Sequence, residues 1–123
     1  MDELKVSQIL QNDLGFSDSS IKKMKKFHSY LLEYNKRYNL ISKNTEKNIW
    51  IRHILDSAQI IKFIEKSKEQ NIVDFGSGAG FPGLIIAIYN ENVRFHVKLY
   101  EKSPVKRAFL VNIKEKLDIK NFK

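Results

Sequence analysis

Ile21, Met24, Phe27, Leu31, Tyr34 and Tyr38 recur at steps of three and four. That spacing puts all six on one face of an α-helix. Ser17, Asp18 and Ser19 stand just before the stripe and are candidate N-caps. Residues 2–14 predict a shorter amphipathic helix with Leu4, Ile9, Leu10 and Leu14 as its apolar side, and Gly15 closes it as a C′ residue would. Lys22, Lys23, Lys25 and Lys26 fall mostly off the long stripe. They read first as a solvated helix face and second as a contact to an anionic backbone. Residues 39–44 predict a break. Thr45-x-x-Asn48 then opens a further helix carrying Ile49, Trp50, His53, Ile54 and Leu55, and 57–64 continues in helical spacing. Trp50 reads as a core anchor, and His28 and His96 as packing or surface residues. Residues 67–71 are polar and predict a linker.

The period then changes. Ile72-Val73-Asp74-Phe75 is a short, mostly apolar run ending at glycines, as a buried strand would. Residues 82–89 predict a helix that is apolar nearly all round. Phe95, Val97 and Leu99 alternate with His96, Lys98 and Tyr100, the period-two pattern of a second strand. Ser103-Pro104 combines an N-cap with proline at the first helical position. The helix it opens carries Val105, Phe109, Leu110, Ile113 and Leu117. The order is thus helices over 1–70, then a βαβα unit over 71–123. Such a unit implies α/β architecture, parallel strands and a right-handed crossover. A parallel pair needs further strands and cover on both faces. The expectation is therefore the front part of a larger doubly wound domain with an N-terminal helical extension.

Composition narrows the function classes. The 123 residues make one domain at most. Hydrophobic residues at 42% and charged residues at 29% match a globular protein and argue against disorder throughout. No apolar run has the roughly 20 residues of a membrane-spanning helix. The start, Met1-Asp2-Glu3, lacks the basic region and apolar run of a secretory signal. A cytoplasmic location is expected. The absence of cysteine removes disulfides, thiolate metal sites and cysteine nucleophiles, and no histidine or carboxylate spacing suggests a metal site. Basic residues outnumber acidic ones 22 to 14, for a net charge of +8. That favours an anionic partner such as RNA, although a lysine- and isoleucine-rich, arginine-poor composition makes many surfaces basic by default.

Candidate chemistry sits in Asp74-Phe75-Gly76-Ser77-Gly78-Ala79-Gly80-Phe81-Pro82-Gly83, which holds four of the five glycines. Glycines there let a strand turn sharply into a helix and let backbone approach a ligand closely. Glu101 ends the second strand about 20 residues on, where an acid can accept from both ribose hydroxyls. Gly78, Gly80 and Gly83 fit the G-x-G-x-x-G of a dinucleotide site. Read from Asp74, the loop fits the D-x-G-x-G-x-G of S-adenosyl-L-methionine (SAM) methyltransferases. The second pattern explains more residues, because the Asp74 charge suits a cationic amino group and sulfonium and repels a pyrophosphate. A purely structural turn is the third reading.

Several stretches in one order resemble the family of glucose-inhibited division protein B, the ribosomal RNA small subunit methyltransferases G. Leu32-Glu33-Tyr34-Asn35-Lys36-Arg37-Tyr38-Asn39-Leu40-Ile41 is similar to its helix ending in an N-L turn. Trp50-Ile51-Arg52-His53-Ile54-Leu55-Asp56-Ser57 resembles its R-H-x-x-D-S signature. The glycine loop resembles its D-x-G-S-G-x-G-F-P-G stretch, whose F-P-G ending is more specific than the glycines. Glu101-Lys102-Ser103 with Lys106, Arg107, Phe109 and Leu110 is similar to its next helix start, with one residue inserted.

The resemblance implies a Rossmann-like SAM-dependent enzyme that methylates guanine N7 in 16S ribosomal RNA within the small ribosomal subunit. It implies SAM contacts from Asp74, Gly76, Ser77, Gly78, Gly80 and Phe81, with Glu101 on the ribose. Arg52, His53 and Asp56 would lie close to the cofactor loop. Lys102, Lys106 and Arg107 become candidates for RNA contact. No catalytic residue is assigned, because guanine N7 carries an in-plane lone pair and needs no general base. Neither metal nor membrane is implied, and a monomer is expected. The family continues for several strands past residue 123, so weak or absent SAM binding and no turnover are expected of this length of chain. A non-catalytic basic RNA-binding module and a dinucleotide-binding Rossmann fragment are the alternatives.

Overall fold

The computed structural model describes residues 3–60, 70–75, 81, 83–89 and 95–119, with the side chains of Ile51, Arg52, Gln70–Val73, Phe75 and Phe95 outside that description. Helix α1 spans Glu3–Asn12 and α2 spans Asp18–Tyr38. Between them Gly15 takes φ +79°, the left-handed conformation expected after a helix end. Ser17 is the N-cap of α2, its hydroxyl accepting the Ser20 N–H at 3.0 Å. The far end closes at Asn39, in the left-handed region at φ 50°, whose N–H donates to the Asn35 carbonyl.

The long stripe is confirmed at Ile21, Met24, Phe27 and Leu31, all buried, and fades toward Tyr38, which is 49% exposed. Tyr34 on that stripe is half-buried, and the next buried residue of α2 after Leu31 is Asn35. In α1 the inward face is Val6, Ser7 and Leu10, whereas Leu4 is 65% exposed. Val6 and Leu10 are four apart and share a face. Leu4 is two residues from Val6 and points elsewhere.

The segment after α2 differs from its sequence reading. Ser42 caps a short α3, Lys43–Lys47, by accepting the Thr45 N–H at 3.0 Å. Thr45 is therefore inside the first turn rather than before it. Asn48, at φ −122°, interrupts the helix. The chain resumes as a π-helical segment, Ile49–Leu55, followed by α4, Asp56–Ala58. Ile49, Trp50, Ile54 and Leu55 are buried, and the wider π-helical winding brings both pairs inward.

Strand β1, Gln70–Phe75, and strand β2, Phe95–Tyr100, pair in parallel, with Gln70 opposite Phe95 and Phe75 opposite Tyr100. β1 starts inside the stretch expected to be a linker, because ladder pairing uses backbone groups and tolerates polar side chains such as Gln70 and Asn71. Helix α5, Gly83–Tyr89, has six consecutive buried residues, Gly83–Ile88. Helix α6, Pro104–Lys116, is capped by Ser103, whose hydroxyl accepts the Lys106 N–H at 3.3 Å. Phe109, Leu110 and Ile113 face inward, while Val105, expected on that side, is 40% exposed.

One apolar cluster joins α1, α2, the π-helical segment, α4, α5, β2 and α6, from Val6 through Phe27, Trp50 and Ile85 to Val97 and Phe109. The Phe27 ring meets Phe81 edge-on at 5.7 Å and Phe109 at 6.2 Å. The Ser20 hydroxyl donates to the Ile88 carbonyl at 2.8 Å, tying α2 to the end of α5. The fold shown is thus a parallel strand pair with its crossover helix α5, and α2 and α4 packed on that helix. No described helix is long and apolar enough to cross a membrane.

Candidate cofactor site

The parallel register sets where the candidate residues leave the sheet. Asp74 pairs with Leu99 and Phe75 with Tyr100, so both strands end together and Glu101 leaves the sheet at the same edge as the start of the glycine loop. In open parallel sheets ligands bind outside the carboxyl ends of the strands. Asp74 is half-buried there, and its Oδ2 accepts the Gly83 N–H, the first amide of α5, at 3.0 Å. Burial holds the Asp74 carboxyl above the ordinary aspartate value, and the Gly83 hydrogen bond pulls the other way.

Gly83 has a further reason to be glycine. A Cβ there would run into the Leu99 Cδ2 methyl and stand 2.9 Å from Asp74 Oδ2. Its bare backbone lets α5 lie close against both strands. This close-packing role belongs to the last glycine of the sequence pattern, and nothing about the loop spacing alone separates it from a ligand-contact role.

Glu101 is half-buried, and its Oε2 accepts the Ser103 N–H at 2.8 Å. The hydrogen bond ties this carboxylate to the N-terminus of α6. A carboxylate carries acceptor sites on both oxygens, so it can hold an amide and hydroxyl donors together. Lys102 and Arg107 are exposed and Lys106 is half-buried, all at the same end of α6 as Glu101.

Phe81 forms the flank. Its ring lies 5.2 Å from the His53 ring at an interplanar angle of 42°, with Phe27 behind it. Two motifs far apart in sequence therefore meet, because the π-helical segment carries His53 to the end of the glycine loop. π-helical turns are frequent at functional sites for this reason: one extra residue per turn re-aims a side chain. Asp56 is exposed one turn later, and its backbone N–H donates to the His53 carbonyl. Gly76, Ser77, Gly78 and Gly80 lie outside the described residues, and so does the side chain of Arg52. Among the described residues no group of histidine and carboxylate side chains could hold a metal ion.

Asn35 has a role that the sequence does not assign, and His28 takes the packing role expected of it. Asn35 is buried, its Oδ1 accepting the Ile41 N–H at 2.9 Å and its Nδ2 donating to Glu46 Oε2 at 2.7 Å. It shapes the turn from α2 into α3. Its helical spacing of four from Leu31, beside the apolar stripe, is the available signal. His28 Nδ1 accepts the Trp50 Nε1–H at 3.1 Å, anchoring the buried indole to α2.

Comparison with known proteins shows the family of the chain. The family described as GidB, rRNA small subunit methyltransferase G, matches residues 20–123. A ribosomal RNA small subunit methyltransferase G of Magnetococcus marinus is 40% identical over 105 residues, covering 85% of this chain and 46% of that protein. One from Bartonella tribocorum is 37% identical over 118 residues, covering 95% of this chain and 54% of its own length. One from Rickettsia bellii is 52% identical over 68 residues, or 55% of this chain and 35% of the relative. The chain spans about half the length, or less, of these curated relatives. With the family match running from α2 past the end of α6, the chain belongs to the rRNA small subunit methyltransferase G family.

Proposed function

We propose that the edge formed by Asp74, Phe81 and Glu101 is the SAM site of a ribosomal RNA methyltransferase, acting on guanine N7 of 16S ribosomal RNA in the cytoplasm. Glu101 would hold the ribose hydroxyls, Asp74 would face the methionine end, and Gly76, Ser77, Gly78 and Gly80 would line the turn between them. Phe81, backed by Phe27 and His53, would wall one side. Arg52, Asp56, Lys102, Lys106 and Arg107 are proposed to lie toward the RNA. Residues 1–70 would form the helical region and 71–123 the first part of a Rossmann-like cofactor domain.

One observation carries the choice of ligand. The first amide of α5 is already taken by the Asp74 carboxylate. A dinucleotide site needs the helix N-terminus for its pyrophosphate. Here a carboxylate stands in that place, which disfavours an anion and favours the cationic end of SAM.

A bound SAM supplies a methyl group on a cationic sulfur. The chain's own residues would orient that ligand by its sugar and its amino-acid end. No side chain has to remove a proton, because the N7 lone pair is available at neutral pH. The residues thus contribute by alignment and by holding the RNA backbone.

Chemical-shift mapping on the 15N-labelled chain tests the reading, since it detects binding even at millimolar strength. SAM is expected to move the amides of Asp74, Phe81, Gly83, Glu101 and Ser103, with the response lost in Glu101→Ala. Shifts at these amides with a nicotinamide dinucleotide and none with SAM would overturn it.

A further inference from the structure

A second concave surface lies between α2 and α6, away from the sheet edge. Tyr30, Tyr34 and Tyr38 follow one another at steps of four on α2, and Asn112 and Lys116 face them from α6. Those α6 residues lie 8 and 12 positions beyond Pro104, roughly 12–18 Å along the helix axis from the end that carries Glu101. The groove encloses about 250 Å³. That is below the roughly 300–1,000 Å³ of clefts that enclose whole small molecules, and it suits a single planar ring system.

The aromatic rings are held in place. Tyr34 packs edge-on against the fully buried Phe109 at 5.1 Å, and its hydroxyl accepts the Asn112 Nδ2–H at 2.6 Å. Tyr38 lies 5.5 Å from Tyr34 with the rings tilted by 35°, and 49% of it faces solvent. Lys116 Nζ sits 4.6 Å from the centroid of the Tyr30 ring. Arg37 is exposed on the rim, and Glu33 is the one acid lining the groove.

At the C-terminal turn of α2 lies another concavity, of about 540 Å³, to which Lys36, Lys43 and Lys47 contribute. Glu46, the acid lining that side, accepts a hydrogen bond from Asn35. Five cations and two carboxylates thus line the two concavities.

A stacking platform beside a track of cations is the arrangement by which proteins hold unpaired nucleic acid. We propose that the Tyr30–Tyr34–Tyr38 groove seats one unpaired base of a single-stranded RNA segment, with the adjoining phosphates passing Arg37 and Lys116 and crossing toward Lys36, Lys43 and Lys47. This rests on the RNA-directed reading above and deepens it. It gives the protein a substrate-holding site distinct from the one that takes the cofactor.

Fluorescence anisotropy with a labelled ten-nucleotide single-stranded RNA tests this on the 123-residue chain. Tyr38→Ala is expected to weaken binding about tenfold, the scale of one lost base stack, while Tyr38→Phe keeps the affinity. Arg37→Ala should flatten the slope of log affinity against log salt by about 0.7. Lys25→Ala, an exposed cation outside both concavities, should weaken binding less than Arg37→Ala. Unchanged affinity in Tyr38→Ala, equal losses in Arg37→Ala and Lys25→Ala, or no RNA binding by the wild-type chain would each overturn the proposal. The SAM shift titration is run on the same samples. Its failure would count against the cofactor assignment alone, because the RNA comparison does not depend on it.

Discussion

Asp74 and Gly83 are joined by a 3.0 Å hydrogen bond from the first amide of α5 to the carboxylate near the end of β1. The bond links the two elements that bracket the glycine loop. It also means that a half-buried acid stands at the site with its charged form disfavoured by burial.

The pH dependence follows from that. The folded chain holds the Asp74 proton to higher pH than the unfolded chain, whose value is near 3.8. The stability contributed is therefore complete below pH 3.8 and is lost as pH rises through the raised folded value. Asp74→Asn keeps an oxygen acceptor for the Gly83 amide and removes the titration. Its melting temperature relative to wild type should be higher at pH 7 than at pH 3.5, while SAM-induced shifts are lost. A difference in melting temperature that does not change with pH would refute the assignment of this titration.

Gly83→Ala should destabilise the chain by about 1–3 kcal/mol, the scale of an overpacked contact. The new methyl meets Leu99 Cδ2, which can swing aside, and Asp74 Oδ2, which is tethered by its hydrogen bond. The better helix propensity of alanine, worth about 1 kcal/mol, offsets part of this. Urea denaturation gives the net value, and a gain in stability would show that α5 and the strands are not in close contact.

The His28–Trp50 pair predicts a response to mild acid. Burial lowers His28 below 6.5, with the charges of Glu3 and Glu46 pulling the other way. Its Nδ1 accepts from the Trp50 indole and must be unprotonated to do so. The folded chain binds this proton less readily than the unfolded chain. Stability from the pair is thus present above pH 6.5 and lost as pH falls through the lowered folded value. Trp50 is the sole tryptophan, so its fluorescence reads the site directly. The wild-type chain should lose more stability than His28→Gln between pH 7 and about 5. Parallel curves for the two would rule the pair out as the cause.

Asn35→Ala removes an acceptor from the Ile41 amide and a donor from Glu46. A buried group left without its partner costs about 1–3 kcal/mol. The loss should appear as a lower denaturation midpoint with an unchanged slope. A cost below about 0.5 kcal/mol, the level of an ordinary surface change, would mean that the turn into α3 forms without the side chain.

Much of the layout was legible in residue spacing. The face of α2 from Ile21 to Leu31, the caps at Ser17 and Ser103, the turn at Gly15 and the β–α–β order are all local. Each depends on the period of side chains or on backbone groups within one turn. The misreadings were also local in origin. Leu4 and Val105 have apolar side chains but sit off the inward face, and two-state patterning cannot say which partner a helix will find. Gln70 and Asn71 look like linker because side-chain polarity carries no record of backbone pairing.

By itself the sequence determined the helix and strand types outside Lys43–Leu55, the period change near residue 70, and the membership in a family whose motifs stand in one order. Those follow from chemistry that acts within a few residues or repeats along the chain. Only the tertiary structure decided that His53 meets Phe81, that the Asp74 carboxylate takes the first amide of α5, and that three tyrosines of α2 share a groove with Lys116. Each of these joins elements 9 to 86 residues apart, and such contacts are set by how helices seat on the strand pair, a packing solution that no single segment contains.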